Sequence, residues 1–209
     1  PSTTLFQSQH QAAVEAAKSA GVRFIAYTSV ARADSSTLSL AEVHRATEEA
    51  IRQAGIPYCF LRNNWYLENE LGTIEAVRGG APWLTAAGSG KVGWALRRDY
   101  AEAAAAVLAG EGHENTVYEL SGKPITYDEL AAAVSKVLGR EVQVQHVDDA
   151  AFAEAMRKAG MPEPVVAMVA GIQKAIREGA LDVESDAFEK LLGRPATPVE
   201  DALRAILAR

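Results

Sequence analysis

A short apolar strand that ends in polar and aromatic residues is the stretch of this chain best suited to chemistry. The run Tyr58-Cys59-Phe60-Leu61 follows a proline and predicts a buried strand. It leads directly into the residues Arg-Asn-Asn-Trp-Tyr at 62–66. In open α/β sheets, ligands bind just beyond the carboxyl ends of the strands, which makes this turn a candidate binding site. The structural alternative is that its asparagines form side-chain turns and its aromatic rings belong to the core.

A lone histidine, His44, is the second candidate. It shares one face of a predicted helix with Leu40, Thr47 and Ile51, a setting in which histidine is commonly structural. Its helix, however, leads towards the strand described above, and an imidazole can relay protons near neutral pH. Both interpretations remain open from the sequence.

The remaining polar candidates are less specific. Thr28 and Ser29 end another predicted strand, where they either line a ribose or form an ordinary small-residue turn. A hydrolase triad built on Ser29 and His44 is disfavoured because Ser29 lacks the glycine pattern of a nucleophile elbow. The other histidines, at 10, 113 and 146, show no ligand spacing, so no metal site is expected.

The elements that position these residues alternate between helix and strand. Ser8 and Gln11 have capping-box spacing before a helix over about 9–20, and a strand follows over 22–28. Apolar spacing predicts a helix over 40–54, closed by Gly55 before the next strand. A third strand is predicted over 116–120. This order is typical of a parallel sheet covered by helices, so the sequence predicts an α/β fold.

The second part of the chain has a different texture. Residues 68–97 are irregular around a short helix over 71–77, and Asp99 with Glu102 is expected to cap a helix that runs to residue 109. The glycines at 88 and 90 are interpreted as a turn, because a P-loop needs a further glycine where Thr85 lies. From residue 126 the pattern is mostly helical. Thr126 and Glu129 form a capping box there, and a strand over 141–147 interrupts the helices.

Composition excludes several classes of function. The 209 residues carry a net charge of −6 without any basic run, which argues against nucleic-acid binding. The longest apolar run, at 103–109, is too short to span a bilayer, so no membrane association is expected. A single cysteine in an apolar strand is typical of a reducing compartment, and a cytoplasmic location is therefore expected.

Three segments together resemble a known family. They are Ala26-Tyr27-Thr28-Ser29, the helix from Leu40 to Glu48, and the run Leu61-Arg62-Asn63-Asn64-Trp65-Tyr66-Leu67-Glu68-Asn69. In this order and at these separations they resemble the NmrA-like atypical short-chain dehydrogenases, in the branch of the type-2 NAD(P)H:quinone oxidoreductases and triphenylmethane reductases. The similarity extends over essentially the whole chain.

The resemblance implies a Rossmann-like fold and a set of roles. Residues 1–122 would be the C-terminal half of an NAD(P)-binding domain, with 68–97 contributing to a substrate lobe, and 123–209 would be the mostly helical remainder of that lobe. NADPH or NADH would be the cofactor, and its contacts would come from ten residues: Ser2, Thr3, Thr28, Ser29, Asn63, Asn64, Trp65, Tyr66, Leu67 and Glu68. His44 and Tyr66 would be catalytic, and no metal would be needed.

The chain also departs from the family pattern. Relatives open with a strand, a glycine-rich turn and a helix that binds the pyrophosphate, and the alignment by family order places Pro1 at the end of the fourth strand. The expectation is that this chain is part of a longer protein and that, by itself, it binds dinucleotide weakly or not at all. The tyrosine and lysine pair of typical short-chain dehydrogenases is also missing, since Tyr58 and Arg62 have its spacing on a strand rather than a helix.

Two functions from different classes follow from the resemblance. The first is NAD(P)H-dependent reduction of a quinone or similar flat aromatic acceptor, against whose rings Trp65 and Tyr66 could stack. The alternative is a redox sensor that binds a dinucleotide without turnover, and a fragment without activity is a third possibility. The sequence leaves the native acceptor, the choice between NADH and NADPH and the oligomeric state open, a homodimer included.

Overall fold

Five strands and nine helices make up the part of the chain that the computed structural model describes, residues 3–208. The strands are β1 (Ile25–Val30), β2 (Tyr58–Asn63), β3 (Trp83–Thr85), β4 (Thr116–Leu120) and β5 (Val144–His146). The helices are α1 (Thr3–Ser19), α2 (Ala41–Ala54), α3 (Leu71–Arg78), α4 (Arg97–Ala109), α5 (Tyr127–Leu138), α6 (Asp149–Lys158), α7 (Glu163–Arg177), α8 (Ala187–Leu192) and α9 (Val199–Leu207). A turn of 3-10 helix, Leu67–Glu70, precedes α3.

A parallel sheet in the order β1-β2-β4 is the scaffold of the site. Its register aligns the final residues of the three strands, Val30, Asn63 and Leu120, in one row. The next residues continue the row, because Ala31 N–H donates to Asn63 O and Asn64 N–H donates to Leu120 O, at 2.9 and 2.8 Å. The polar turn after β2 therefore starts at the carboxyl edge of the sheet, and the predicted α/β class is confirmed.

Alternation along β2 fills a separate core on each face of the sheet. Phe60 packs against Val14 of α1 and Ile51 of α2. Cys59 and Leu61 face the other way, into a cluster formed with α4 and α8. With all three β2 residues fully buried, the apolar run predicted as a strand is two-sided and central.

A third, larger core lies under the lobe beside the carboxyl edge. It joins α3, β3, α5, α7 and α9 with the loop after β1, and its largest buried side chains are Trp83 and Trp94. β3 pairs in parallel with β5, so the irregular stretch at 68–97 contributes a strand to this lobe. The division of the chain at residue 122 stays a prediction.

Most predicted helix ends are confirmed, and two are wrong. The capping box of Thr126 and Glu129 starts α5, and Gly139 ends it in the left-handed conformation. Ser8, in contrast, lies inside α1, which begins at Thr3. Asp99 does not cap α4, because the helix begins two residues earlier and Asp99 instead accepts hydrogen bonds from Thr197. The short helix α8 has no predicted counterpart.

The glycines at 88, 90 and 93 have the G-x-G-x-x-G spacing of a dinucleotide-binding turn. The interpretation of Gly88 and Gly90 as an ordinary turn from the sequence did not identify this spacing. They do not open a helix, since α4 begins only at Arg97. Gly90 instead lies against the backbone of α7, and Gly93 lies against the segment that follows β4. A Cβ atom on Gly90 would be 2.3 Å from Ile176 O, and one on Gly93 would be 1.9 Å from Ser121 Oγ. Close packing accounts for these two glycines, and the residues 88–93 lack the strand–turn–helix context of a pyrophosphate site.

No helix within the described residues is both long enough and apolar enough to cross a membrane.

Candidate functional site

A cavity of about 340 Å³ opens at the carboxyl edge of β1 and β2. Its size lies at the lower end of the range for small-molecule sites, roughly 300–1,000 Å³. Seven of the predicted site residues line it, namely Thr28, Ser29, His44, Asn63, Asn64, Trp65 and Tyr66. Val30, Leu40, Asn69 and Arg97 complete its wall. The fold thus brings together residues that lie up to 69 positions apart in the sequence, from β1, α2, the turn after β2 and α4.

Asn63 is the wall residue with an unmet hydrogen bond. Its side chain is buried, and Nδ2 donates to the hydroxyl of Tyr66 at 3.1 Å. Its Oδ1 is buried and has no hydrogen-bond partner. Such a group costs roughly 1–3 kcal/mol when it stays unpaired, so Asn63 is suited to accept from a bound ligand such as a carboxamide.

Asn64, in contrast, has its hydrogen bonds satisfied by the protein. Nδ2 donates to Ser121 Oγ and to Leu181 O, both at 3.0 Å. Oδ1 accepts from the backbone N–H of Trp65 at 2.8 Å. Asn64 therefore fixes the turn after β2 to the segments that follow β4 and α7.

The two aromatic rings of the turn are half-buried. Trp65 packs against the lobe core, and Tyr66 lies edge-on to Tyr100 of α4, with ring centroids 5.1 Å apart. The guanidinium of Arg97 lies 5.3 Å from the centre of the Tyr66 ring. This exposed arginine brings a positive charge to the wall of the cavity, where it can attract an anionic group.

Two of the predicted cofactor contacts within the described residues, Leu67 and Glu68, do not line the cavity. Leu67 is fully buried in the lobe core. Glu68 accepts the backbone N–H of Arg97, with both carboxylate oxygens at 3.1 Å, and so caps α4. Ser2 lies outside the described residues, and of Thr3 only its place at the start of α1 is described.

His44 enters the cavity wall from α2 and is half-buried. Its Nδ1 lies 2.8 Å from the hydroxyl of Tyr27 on β1. Burial lowers the pKa of His44 from 6.5, and the nearby His10 lowers that pKa further. The imidazole is therefore mostly neutral at pH 7, which allows one ring nitrogen to donate and the other to accept.

A charge cluster centred on the buried Glu48 and Arg62 supports the cavity wall at Ser29. The hydroxyl of Ser29 donates to Glu48 Oε1 at 2.6 Å, and Arg62 donates to both Glu48 oxygens at 3.0 and 2.8 Å. Arg62 also donates to Asp34 and Glu119, at 3.0 and 3.2 Å. Because three carboxylates surround one guanidinium, the pKa of Arg62 rises far above its usual range. The Ser29 hydroxyl proton is engaged by Glu48, which leaves its oxygen free only to accept.

Glu70 supports the wall from behind Trp65. This buried carboxyl group accepts hydrogen bonds from Trp94 Nε1 at 3.2 Å and from the hydroxyl of Tyr127 at 3.5 Å, and the nearby Trp65 side chain also acts to lower its pKa. Burial outweighs these bonds and raises its pKa to about 7. The lobe side of the cavity therefore rests on a carboxyl group that titrates near neutral pH.

Sequence reasoning missed Arg97, Tyr27 and the Glu48–Arg62 pair. An arginine inside an otherwise apolar strand signals a buried partner, because guanidinium groups are almost never fully buried alone. No comparable signal distinguishes Arg97 from the adjacent Arg98. Among the described residues, no cluster of histidine, cysteine or carboxylate side chains could hold a metal ion.

A model of the NmrA-like family matches residues 5–192 of this chain. The chain belongs to the NmrA-like family. Quinone oxidoreductase 2 of Escherichia coli strain K12 is 41% identical over 196 residues, which cover 93% of this chain and 68% of that protein. The predicted family and branch are confirmed by this match.

Two solved structures of ligand-bound relatives show the same fold. The NADPH-dependent quinone oxidoreductase of E. coli in complex with NADPH superposes with a TM-score of 0.90 at 40% identity, covering 95% of this chain and 71% of that one. The triphenylmethane reductase of Citrobacter sp. in complex with NADP(H) gives a TM-score of 0.90 at 41% identity, covering 98% of this chain and 72% of that one. Both relatives are reductases, and their structures hold NADPH or NADP(H).

Proposed function

We propose that this NmrA-like protein is an NAD(P)H-dependent oxidoreductase that transfers hydride to a quinone or similar flat aromatic acceptor. The observation that carries the proposal is the cavity at the carboxyl edge of the sheet, where Asn63 has an unpaired buried oxygen beside Trp65 and Tyr66. The two related reductases with bound NADPH or NADP(H) support the choice of cofactor.

The residues of the wall fit the nicotinamide end of such a cofactor. The Asn63 amide oxygen can accept from the carboxamide, while Thr28 and the acceptor side of Ser29 can face the ribose. Asn64, Leu67 and Glu68 would act indirectly, by holding the turn and the start of α4 in place. The bound cofactor supplies the hydride, and the protein orients the ring and excludes water.

The acceptor is expected to occupy the side of the cavity formed by Trp65, Tyr66 and Arg97. Flat rings offer stacking area to an aromatic acceptor, and Arg97 can stabilise negative charge that develops on a quinone oxygen during hydride transfer. His44 is proposed to provide a proton to that oxygen. The predicted cytoplasmic location is part of the proposal, while a homodimer stays a prediction.

Turnover of NADPH with a simple quinone tests the function in the full-length natural protein. We expect quinone-dependent loss of NADPH absorbance in the wild type. Trp65→Ala should raise the Michaelis constant for the quinone and leave NADPH affinity nearly unchanged, because Trp65 is assigned to the acceptor side. A circular dichroism melt must first show that the variant is folded, since the loss of a core tryptophan can cost about 3–5 kcal/mol.

The result also distinguishes the enzyme from a sensor. NADPH binding without turnover across a panel of quinones and cationic dyes would favour a dinucleotide-binding sensor. Absence of both binding and turnover would refute the proposed function.

A further inference from the structure

Four neighbouring side chains form a row that leads from the cavity wall to α1. The row begins at His44, whose Nδ1 lies 2.8 Å from the hydroxyl of Tyr27. Tyr27 also interacts with the side chain of Thr47, which opposes the rise that burial causes in the pKa of the Tyr27 phenol. Thr47 Oγ1 lies 2.8 Å from Nδ1 of His10. Each member of this row can both donate and accept a proton.

The row runs from the cavity wall, through the buried Thr47, to the partly exposed His10 on α1. Thr47 is buried, and Tyr27 and His44 are half-buried at the boundary between β1 and α2. His10, on α1, is only partly covered and packs edge-on to the Tyr27 ring, with centroids 6.2 Å apart. The row thus has one end in the cavity and the other within reach of water.

We propose that His44, Tyr27, Thr47 and His10 are a proton path that supplies the acceptor in the cavity with the proton that quinone reduction consumes. The inference rests on the proposed function and deepens it by assigning three residues outside the cavity wall to the reaction.

The proton balance of the path is closed. A quinone that accepts a hydride becomes a hydroquinone anion, whose oxygen then takes one proton from Nε2 of His44. Nδ1 of His44 takes the phenol proton of Tyr27, Tyr27 takes the hydroxyl proton of Thr47, and Thr47 takes the Nδ1 proton of His10. His10 is recharged by water at its other nitrogen. One proton enters, one leaves, and no group besides the cofactor and the quinone is oxidised or reduced.

The resting state of the row suits this direction of transfer. Burial lowers the pKa of His44 and raises that of Tyr27, so the imidazole is neutral and the phenol keeps its proton. A phenol that donates to Nδ1 leaves the single ring proton of His44 on Nε2, the nitrogen for which the described residues offer no hydrogen-bond partner. The titratable groups that face His44 are Tyr27 from β1, His10 from α1 and Glu48 from α2.

Thr47 needs one adjustment for the transfer. In the structure its hydroxyl donates to Val43 O at 2.8 Å, in the preceding turn of α2. Rotation about one bond redirects this hydrogen to Tyr27, and hydroxyl rotation is fast compared with enzyme turnover. Thr47→Val keeps the side-chain shape and removes the Thr47 hydroxyl that contacts His10.

The path is tested by comparing two acceptors that differ in their need for a proton. A quinone needs a hydride and a proton, whereas a cationic triphenylmethane dye becomes a neutral product by hydride addition alone. In the full-length protein, Tyr27→Phe and Thr47→Val should lower the ratio of quinone to dye turnover on the order of 10²-fold, a typical loss for one general acid. The effect should fall on kcat rather than on KM.

Tyr118→Phe is the matched control. The Tyr118 hydroxyl lies 3.0 Å from Nδ1 of His113, so this variant removes the same type of contact outside the cavity. Its quinone-to-dye ratio should equal that of the wild type. Equal ratios in Tyr27→Phe and the wild type would overturn the path. A wild-type protein that reduces neither acceptor would instead refute the proposed function.

A second measurement needs neither cofactor nor turnover. Nitrogen-15 NMR of the histidine rings in the ligand-free protein should show neutral His44 with its proton on Nε2. Tyr27→Phe should abolish this preference, and Tyr118→Phe should leave it intact. A wild-type His44 that carries its proton on Nδ1 would contradict the proposed direction of transfer.

Discussion

Arg62 and Glu48 form a two-pronged ion pair beneath the cavity, with Nε and Nη2 of the arginine 3.0 and 2.8 Å from the two carboxylate oxygens. The side chains of Arg62 and Glu48 are only 7% and 1% exposed. A pair that is nearly cut off from water makes either partner costly to remove, because the remaining charge stays buried without compensation. The pair also fixes Ser29, whose hydroxyl donates to Glu48.

Arg62→Leu should therefore lower the free energy of unfolding by about 3–5 kcal/mol. Urea denaturation followed by circular dichroism measures this change. The control is Arg78→Leu, since Arg78 forms an exposed pair with Glu75 at 3.1 Å. Removal of such a surface pair costs roughly 0–1 kcal/mol. Equal losses in the two variants would show that burial of the Glu48 pair is energetically irrelevant.

Glu70 should make stability depend on pH. Folding raises its pKa from 4.5 to about 7, so the native state binds more protons than the unfolded state between these values. The stabilisation is full below pH 4.5 and is lost as the pH rises to about 7. Glu70→Gln keeps a hydrogen-bonding side chain that does not ionise. Between pH 4.5 and about 7, the free energy of unfolding of Glu70→Gln should rise relative to that of the wild type by up to about 3 kcal/mol, at about 1.4 kcal/mol per pKa unit.

Thermal melts of both proteins at several pH values measure this difference. Glu111→Gln, at an exposed position in the loop after α4, is the control and should follow the wild-type curve. Parallel curves for Glu70→Gln and the wild type would mean that Glu70 titrates at an ordinary pKa.

Substitutions of the two adjacent asparagines should have different effects: loss of Asn63 should weaken NADPH binding, and loss of Asn64 should lower stability. Asn63→Ala removes the unpaired acceptor in the cavity, and NADPH affinity should fall about tenfold or more, since a lost buried hydrogen bond costs roughly 1–3 kcal/mol. Calorimetry on the full-length protein measures it. Asn64→Ala should chiefly lower the melting temperature, because its three hydrogen bonds are all to the protein. Normal NADPH binding by Asn63→Ala would remove the main support for the cofactor site.

Gly122 should tolerate no side chain. A Cβ atom there would lie 2.0 Å from the backbone oxygen of Trp94, so Gly122→Ala must displace the segment that follows β4. We expect a large drop in melting temperature. Gly171→Ala is the matched control, because Gly171 lies within α7 with no atom near the added methyl group. That change should stabilise the helix by up to about 1 kcal/mol. Similar melting temperatures for both variants would contradict the close approach at Gly122.

Local signals predicted the sheet and most of the helices. The apolar run of β2, the glycine that ends α2 and the capping box of α5 each depend on residues close together in the sequence, and the structure places them as expected. The start of α4 could not be found in this way, because its cap is Glu68, which is distant in sequence. Asp99 looked like a cap, yet its carboxylate accepts from Thr197 near the end of the chain.

The candidate site was predictable only in its outline. The turn after β2 was visible because a polar cluster interrupts an apolar strand, and the wall of the cavity contains four of its residues. Which asparagine is free could not be known, since Ser121 and Leu181 satisfy Asn64 from remote parts of the chain. A role for Tyr27 could not be predicted for a similar reason, because it depends on the contact between the Tyr27 hydroxyl and His44 on α2.

The parallel pairing of β3 with β5 sets an order of events during synthesis. Trp83 lies opposite Val144, so β3 leaves the ribosome well before its partner strand has been made. Until β5 and the later helices have been synthesised, Trp83 and the apolar side of α3 remain exposed to solvent. Exposed apolar segments of this kind are prone to aggregate with other chains. The sheet of β1, β2 and β4 is complete by residue 120 and can form earlier. Nascent chains arrested between β4 and β5 should therefore depend on chaperones more than chains arrested after α9.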